Sequence, residues 1–306
     1  MNAIFNLINK PLGWVLEFLA RMVGGNFAAA VALFTLLINL LLIPLNIKSQ
    51  KSSVQQLRIK PRLDELKKRY GDDKQRYNTE MQKLYQEEGV SMSGGCLPLI
   101  LRMVLMISIY WLIMQPLTYL IHIQPDTIKQ AAETLGIATK KSGYELQLIE
   151  ALKQTDKFPE ITSKLGSINF NLFGINLTET PKFSFDIFHD YQPIWLIPIF
   201  AFLAQMLTGV ISMRVQKHLN PDAPSMAAMM LTMPLFSLFI GFSLPGGVGF
   251  YWICSSLIGS LLQTAVQLWY GPNKMLAKER SKELSKRCEF EAKQLKKFGE
   301  ASPKDE

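Results

Sequence analysis

The chain has 306 residues, 48% of them apolar and only 19% charged, with 33 Lys and Arg against 25 Asp and Glu for a net charge of +8. So apolar a chain is not intrinsically disordered, and its charge lies below the roughly one quarter typical of soluble domains. The apolar residues are gathered in runs long enough to be membrane spans, about 18 residues or more, which argues against a soluble enzyme.

In chain order, residues 1–26 open with Ile4, Ile8, Leu12, Val15 and Leu19 at helical spacing, Trp14 as an interface anchor and Gly24-Gly25 as a stop. This predicts an amphipathic helix lying on the outer membrane face, with an uncleaved signal-like start as the alternative. Residues 27–46 carry no charge and form the first expected span. Segment 47–95 follows, where Val54, Leu57, Leu63 and Leu66 share one side of a helix that ends at Tyr70. Gly71-Asp72-Asp73 makes a turn with an N-cap, and Tyr77, Met81, Leu84 and Tyr85 continue a second helix. The segment therefore reads as a charged helical hairpin.

The second span, 96–120, contains a single charge, Arg102. Loop 121–190 shows helix-like pieces at Thr127–Leu135 and Tyr144–Lys153 and a more extended apolar piece from Ile168 to Leu177. Span three covers 191–213, and a short connection, 214–224, carries Arg214 and Lys217. No charge then appears between Asp222 and Lys274, room for two spans, 225–244 and 248–270, separated by a turn at Pro245-Gly246-Gly247. A basic tail, 271–306, closes the chain. The expected fold class is thus an all-α membrane protein: five transmembrane helices, an N-terminal interfacial helix and a cytoplasmic helical hairpin.

Orientation follows from Lys and Arg counts in the connections. Segment 47–95 has 11 and the stretch from Gln267 to the C-terminus 10; loop 121–190 has seven against nine acidic residues. The more basic side is cytoplasmic, which places the N-terminus outside and the C-terminus inside.

Three cysteines provide no disulfide framework, and His122, His189 and His218 are not spaced with carboxylates or thiols as a metal set would be. Without a phosphate loop or nucleophile elbow, neither enzymatic chemistry nor a cofactor is expected. The informative residue is Arg102. A charge at mid-membrane costs roughly 2.5–3.5 kcal/mol on insertion scales, so it faces a bundle interior or an aqueous cavity. The alternative is snorkelling, since Arg102 lies only about 9 Å into its span. Asn39 occupies a similar depth from the cytoplasmic side, with Thr35 one turn deeper on the same face. Gln205 adds an amide in the third span, and Ser255, Ser256, Ser260 and Gln263 make the fifth partly polar. Together they predict a polar cavity open toward the cytoplasm, against separate interhelical bonds. Met226, Met229, Met230 and Met233 cluster where the fourth span begins, an adaptable apolar surface or simply lipid-facing side chains.

Several stretches carry a resemblance: LLINLLLIPLNIKSQ (Leu36–Gln50), Val54–Val90, GCLPLILRM (Gly95–Met103), NLFGINLT (Asn171–Thr178) and LPGGVGFYW (Leu244–Trp252). In this order they resemble the YidC/Oxa/Alb membrane protein insertases, in the short five-span Gram-positive style. The resemblance implies an intramembrane groove, open to the cytoplasm and lipid, whose positive charge attracts polar parts of nascent membrane proteins. It also implies a bacterial plasma-membrane location, substrate recruitment by the hairpin, ribosome contact by the basic tail, and a Sec translocon as a candidate partner, with a monomer plausible. Thr35, Tyr251 and Trp252 match groove-lining positions. One departure stands out: the family's first-span Arg is Asn39 here, and its usual Gln after the LPLLI stretch is Arg102, so the charge sits on the facing helix. The rival readings are a solute or ion transporter with a polar intramembrane site and a ribosome tether acting through the tail alone.

Overall fold

The computed structural model describes residues 2–90, 97–139, 143–155, 157–182, 184, 191–219, 227–270 and 272–300. They form two units: residues to Ile43 together with Leu99–Thr264, and Pro44–Pro98 together with residues from Ala265 onward. Helix predominates in both.

The first unit begins with α1 (Asn2–Met22). It buries Asn9, Leu16 and Ala20 and exposes Leu7, Trp14, Phe18 and Met22, while Leu12, Val15 and Leu19 pack half-buried on the core. Gly24 and Gly25, at φ +66° and +81°, end it. Asn26 then caps α2 (Phe27–Leu41), its side-chain oxygen accepting from the Ala29 N–H at 3.0 Å. Phe27, Ala30, Val31 and Phe34 enter the core, whereas Leu33, Leu36, Leu37 and Leu40 are exposed.

The expected first span, 27–46, is not one straight helix. The chain breaks at Leu42 and leaves in α3 (Ile43–Tyr70) with a 45° bend. Pro44 supplies the reason: it offers no N–H to the Leu40 carbonyl, and its ring crowds that oxygen.

α5 (Leu97–Met114) leads through Gln115 into the single turn α6 (Pro116–Tyr119). The described residues of 121–182 then build a lobe with an apolar centre, in which the two expected helical pieces and the extended piece appear. In it, α7 (Pro125–Thr134), α8 (Tyr144–Leu152) and α9 (Pro159–Leu165) bury Ile128, Leu148, Ile149, Leu152 and Ile161. The extended piece forms a hairpin of β1 (Asn171–Leu172) and β2 (Ile175–Asn176). Phe173 and Gly174 at its tip both have positive φ, as a two-residue primed turn requires. A 3₁₀ turn (Pro193–Trp195) opens α10 (Leu196–Leu219), followed by α11 (Ala227–Gly241) and α12 (Gly246–Trp269). α10 and α11 approach closely: a Cβ on Gly241 would lie 2.9 Å from the Pro198 Cβ.

Among the described residues, Pro193–Arg214 and Gly246–Trp269 are each long and apolar enough to cross a membrane, and the bent pair Phe27–Leu41 with Ile43–Ser52 makes a third if it is one span. Met103–Met114 and Thr232–Gly241 are apolar but shorter. The expected fourth span begins at 225, outside the described residues.

In the second unit, α3 and α4 (Lys74–Glu87) form the expected hairpin. Asp73 caps α4 by accepting from the Arg76 N–H at 3.0 Å, Arg62 pairs with Glu88, and Ile59, Leu84 and Val90 are buried. α13 (Pro272–Glu300) carries the basic tail, with Leu284, Phe290 and Leu295 exposed.

Candidate functional site

The polar face of α2 is built by two residues one turn apart. Thr35 is 1% exposed and its hydroxyl donates to the Val31 carbonyl at 2.7 Å. Asn39 is 9% exposed and its amide nitrogen donates to the Thr35 carbonyl at 2.8 Å. Both bonds run back one turn within the helix, so the two side chains satisfy donors without a partner helix. An amide buried without such a bond costs on the order of 1–3 kcal/mol, so the arrangement holds a polar pair in an otherwise apolar helix.

Tyr251 of α12 is buried in the same core as Phe27, Val31 and Phe34 of α2. Trp252 packs half-buried against that core, and Ser256 is half-buried one turn farther along. Gln205 is tied elsewhere: its Oε1 accepts from the Ser237 hydroxyl of α11 at 3.0 Å. That hydroxyl also lies 2.8 Å from the Pro234 carbonyl, so one proton serves two acceptors.

The structure therefore stacks Thr35 on Asn39, joins Tyr251 to the core of α2, and pairs Gln205 with α11. The backbone of Arg102 belongs to α5, and its side chain lies outside the described residues. Met226 lies outside them too. Met229 and Met230 fall on α11 with side chains likewise outside, while Met233 is 67% exposed.

Two carboxylates that the sequence did not single out organise the lobe. Glu145, 1% exposed, accepts from the N–H groups of Leu117 and Thr118 at 2.9 and 3.1 Å and from the Thr118 hydroxyl at 2.7 Å. Burial pushes its pKa up to about 7, against the pull of these three bonds. Glu150 Oε1 accepts from Lys153 Nζ, Asn176 Nδ2 and the Thr178 hydroxyl at 2.8, 2.9 and 2.8 Å.

The sequence profile of the 60Kd inner membrane protein family matches residues 18–273, from within α1 to the start of α13. The chain belongs to this family, the YidC/Oxa/Alb group. Membrane protein insertase YidC 2 of Listeria innocua is 27% identical over 94% of this chain and 78% of its own length. Membrane protein insertase YidC of Dechloromonas aromatica is 28% identical over 82% of this chain. The match spans only 34% of that longer relative. A third, from Haemophilus ducreyi, is 46% identical over 35% of this chain and 20% of its own length. Family membership and the apolar helices make the chain a membrane-integral protein.

Proposed function

We propose that this chain is a membrane protein insertase that passes short hydrophilic segments of nascent membrane proteins through a polar, cytoplasm-open groove and releases their spans into lipid. The observation that carries the reading is the match over residues 18–273, together with relatives named membrane protein insertases. The buried pair Thr35 and Asn39 supports a polar groove wall on α2, with Tyr251, Trp252 and Ser256 of α12 beside it and Gln205 of α10 farther along.

In this reading Arg102 supplies the positive charge from α5 and Asn39 supports it. A cation in a low-dielectric groove attracts acidic and polar stretches, which lowers the barrier to crossing. Met226, Met229, Met230 and Met233 offer an adaptable apolar surface for the departing span. Five spans, the interfacial α1, an outside N-terminus and a cytoplasmic tail complete the proposed topology. The ribosome, held by the tail through counterion release, and a Sec translocon are the proposed partners.

The test is insertion of a single-span substrate with a short acidic translocated segment, in cells depleted of their own insertase. Arg102→Ala should cut insertion at least about tenfold, the equivalent of about 1.4 kcal/mol, and adding Asn39→Arg should restore most of it. Normal insertion by Arg102→Ala would end the relocated-charge reading. Substrate-dependent ion flux in purified vesicles, without crosslinks from Asn39 to nascent chains, would favour a transporter.

A further inference from the structure

A cavity of about 690 Å³ lies between the end of α5, α8, the chain after β2 and the turn joining α11 to α12. Its size falls within the roughly 300–1,000 Å³ of small-ligand sites. Tyr110, Met114, Leu146, Leu244 and Pro245 give it an apolar wall. Glu150, Glu179 and Lys182 also line it, with Thr178 and Gln192.

The cavity also has an address relative to the bilayer. Trp195, at the start of α10, stacks edge-on with Tyr191 and Phe242 at centroid distances of 6.3 and 6.0 Å. Its indole N–H donates to the Lys182 carbonyl at 3.1 Å, so this aromatic cluster is bonded to the cavity rim. Trp195 itself is buried, but Tyr191 is 53% exposed, and exposed Tyr gathers at the headgroup level of membranes; the ends of α5, α11 and α12 meet beside it.

The charges are arranged for a particular headgroup. Burial works against the charge of Glu150, but bonds from Lys153, Asn176 and Thr178 outweigh it and hold the carboxyl below the ordinary Glu range. Those bonds converge on Oε1, so Oε2 accepts from none of the described residues. Glu179 accepts from Asn176 Nδ2 at 3.0 Å and is otherwise exposed. Lys153 already pairs with Glu150 Oε1 at 2.8 Å, which leaves Glu179 and Lys182 as the remaining lining charges and Glu150 Oε2 as a further acceptor, so the rim suits a ligand that brings a cation with N–H donors and an anion together.

We propose that this cavity binds a phospholipid with a primary-ammonium headgroup, its ammonium toward Glu150 and Glu179, its phosphate toward Lys182 and its glycerol end along the Tyr110 and Leu244 wall. An ethanolamine lipid meets every requirement. A choline lipid has the same charges but no N–H to donate, and a glycerol lipid brings an anion to two carboxylates without a cation.

The test is native mass spectrometry of the full chain in detergent, titrated with ethanolamine, choline and glycerol phospholipids of identical acyl chains. The ethanolamine lipid should bind at least about tenfold more tightly than either other, as expected for charge-assisted hydrogen bonds. Glu179→Gln, an exposed substitution that leaves the fold intact, should erase most of that preference, and Glu150→Gln the remainder. Equal binding of the three lipids, or a preference unchanged in both variants, would overturn the proposal. Water-soluble glycerophosphoethanolamine is the arm that separates lipid from free amine. Competition by it as strong as by the intact lipid would overturn the lipid assignment.

Discussion

Glu145 shows what a single buried carboxylate does to this fold. Its three acceptor bonds tie α8 to the first turn of α6, where Pro116 starts a helix whose next N–H groups need partners. Burial nevertheless dominates, and the folded pKa rises to about 7 from 4.5. A raised folded pKa means the folded protein holds the proton more tightly than the unfolded chain. This contribution is therefore fully present below about pH 4.5 and is lost as pH rises through 7. At about 1.4 kcal/mol per unit it amounts to roughly 3 kcal/mol. Thermal melting of the detergent-solubilised protein should show the lobe stabilised from pH 8 to pH 5, with Glu145→Gln largely removing that dependence. Parallel pH profiles for the two proteins would refute the assignment. Asn39 is the contrasting case: neutral at every pH, it keeps its donor satisfied within α2, so its role turns on position rather than titration.

At the scale of elements, close backbone approach decides how α1 meets its neighbours. A Cβ on Gly13 would lie 2.1 Å from the Tyr119 carbonyl oxygen, so α1 seats directly on α6, and the Tyr119 hydroxyl donates to Asn6 at 2.6 Å. At the corner, Asn169 exchanges hydrogen bonds with Gly25 and Phe27 at 2.8 and 3.0 Å, fastening the strand region to the start of α2. Gly24 and Gly25 both have positive φ, but only Gly25 is crowded, its Cβ position 2.1 Å from the Ser167 carbonyl oxygen. Gly24→Ala should therefore cost about 1–2 kcal/mol, the left-handed penalty alone. Gly25→Ala adds a clash with backbone and should cost clearly more, read as a larger fall in melting temperature. Equal losses from the two would mean the corner relaxes. The sequence marked this glycine pair as a stop but had no means of ranking its members, because Ser167 is remote in the chain.

At the scale of the whole molecule, the positive surplus is concentrated in segment 47–95 and in the tail, and it implies one topology. Two natural cysteines help to test it: Cys288 is exposed on α13, and Cys254 is half-buried on α12. A membrane-impermeant thiol reagent should label Cys288 only from the cytoplasmic side, and Lys129→Cys, in a background with Cys96, Cys254 and Cys288 replaced by Ser, only from the outside. Labelling of both from one side would reject the odd number of spans.

The apolar segments that form α2, α10 and α12, the helices of the charged hairpin with the cap at its turn and the asymmetry of basic residues were legible because each depends on composition and local spacing. The polar residues of α2 were legible for the same reason, since amides and hydroxyls stand out in an apolar run. What the sequence by itself determined is therefore a membrane-integral helical chain of the YidC/Oxa/Alb kind. Tertiary structure alone packed the described residues of 121–182 into a lobe, paired Gln205 with Ser237, and buried Glu145 beside Thr118. It also set Glu150 and Glu179 at the rim of one cavity. These features depend on which residues meet across long stretches of chain, and hydrogen-bond partners, desolvation and close contacts exist only once that meeting has occurred.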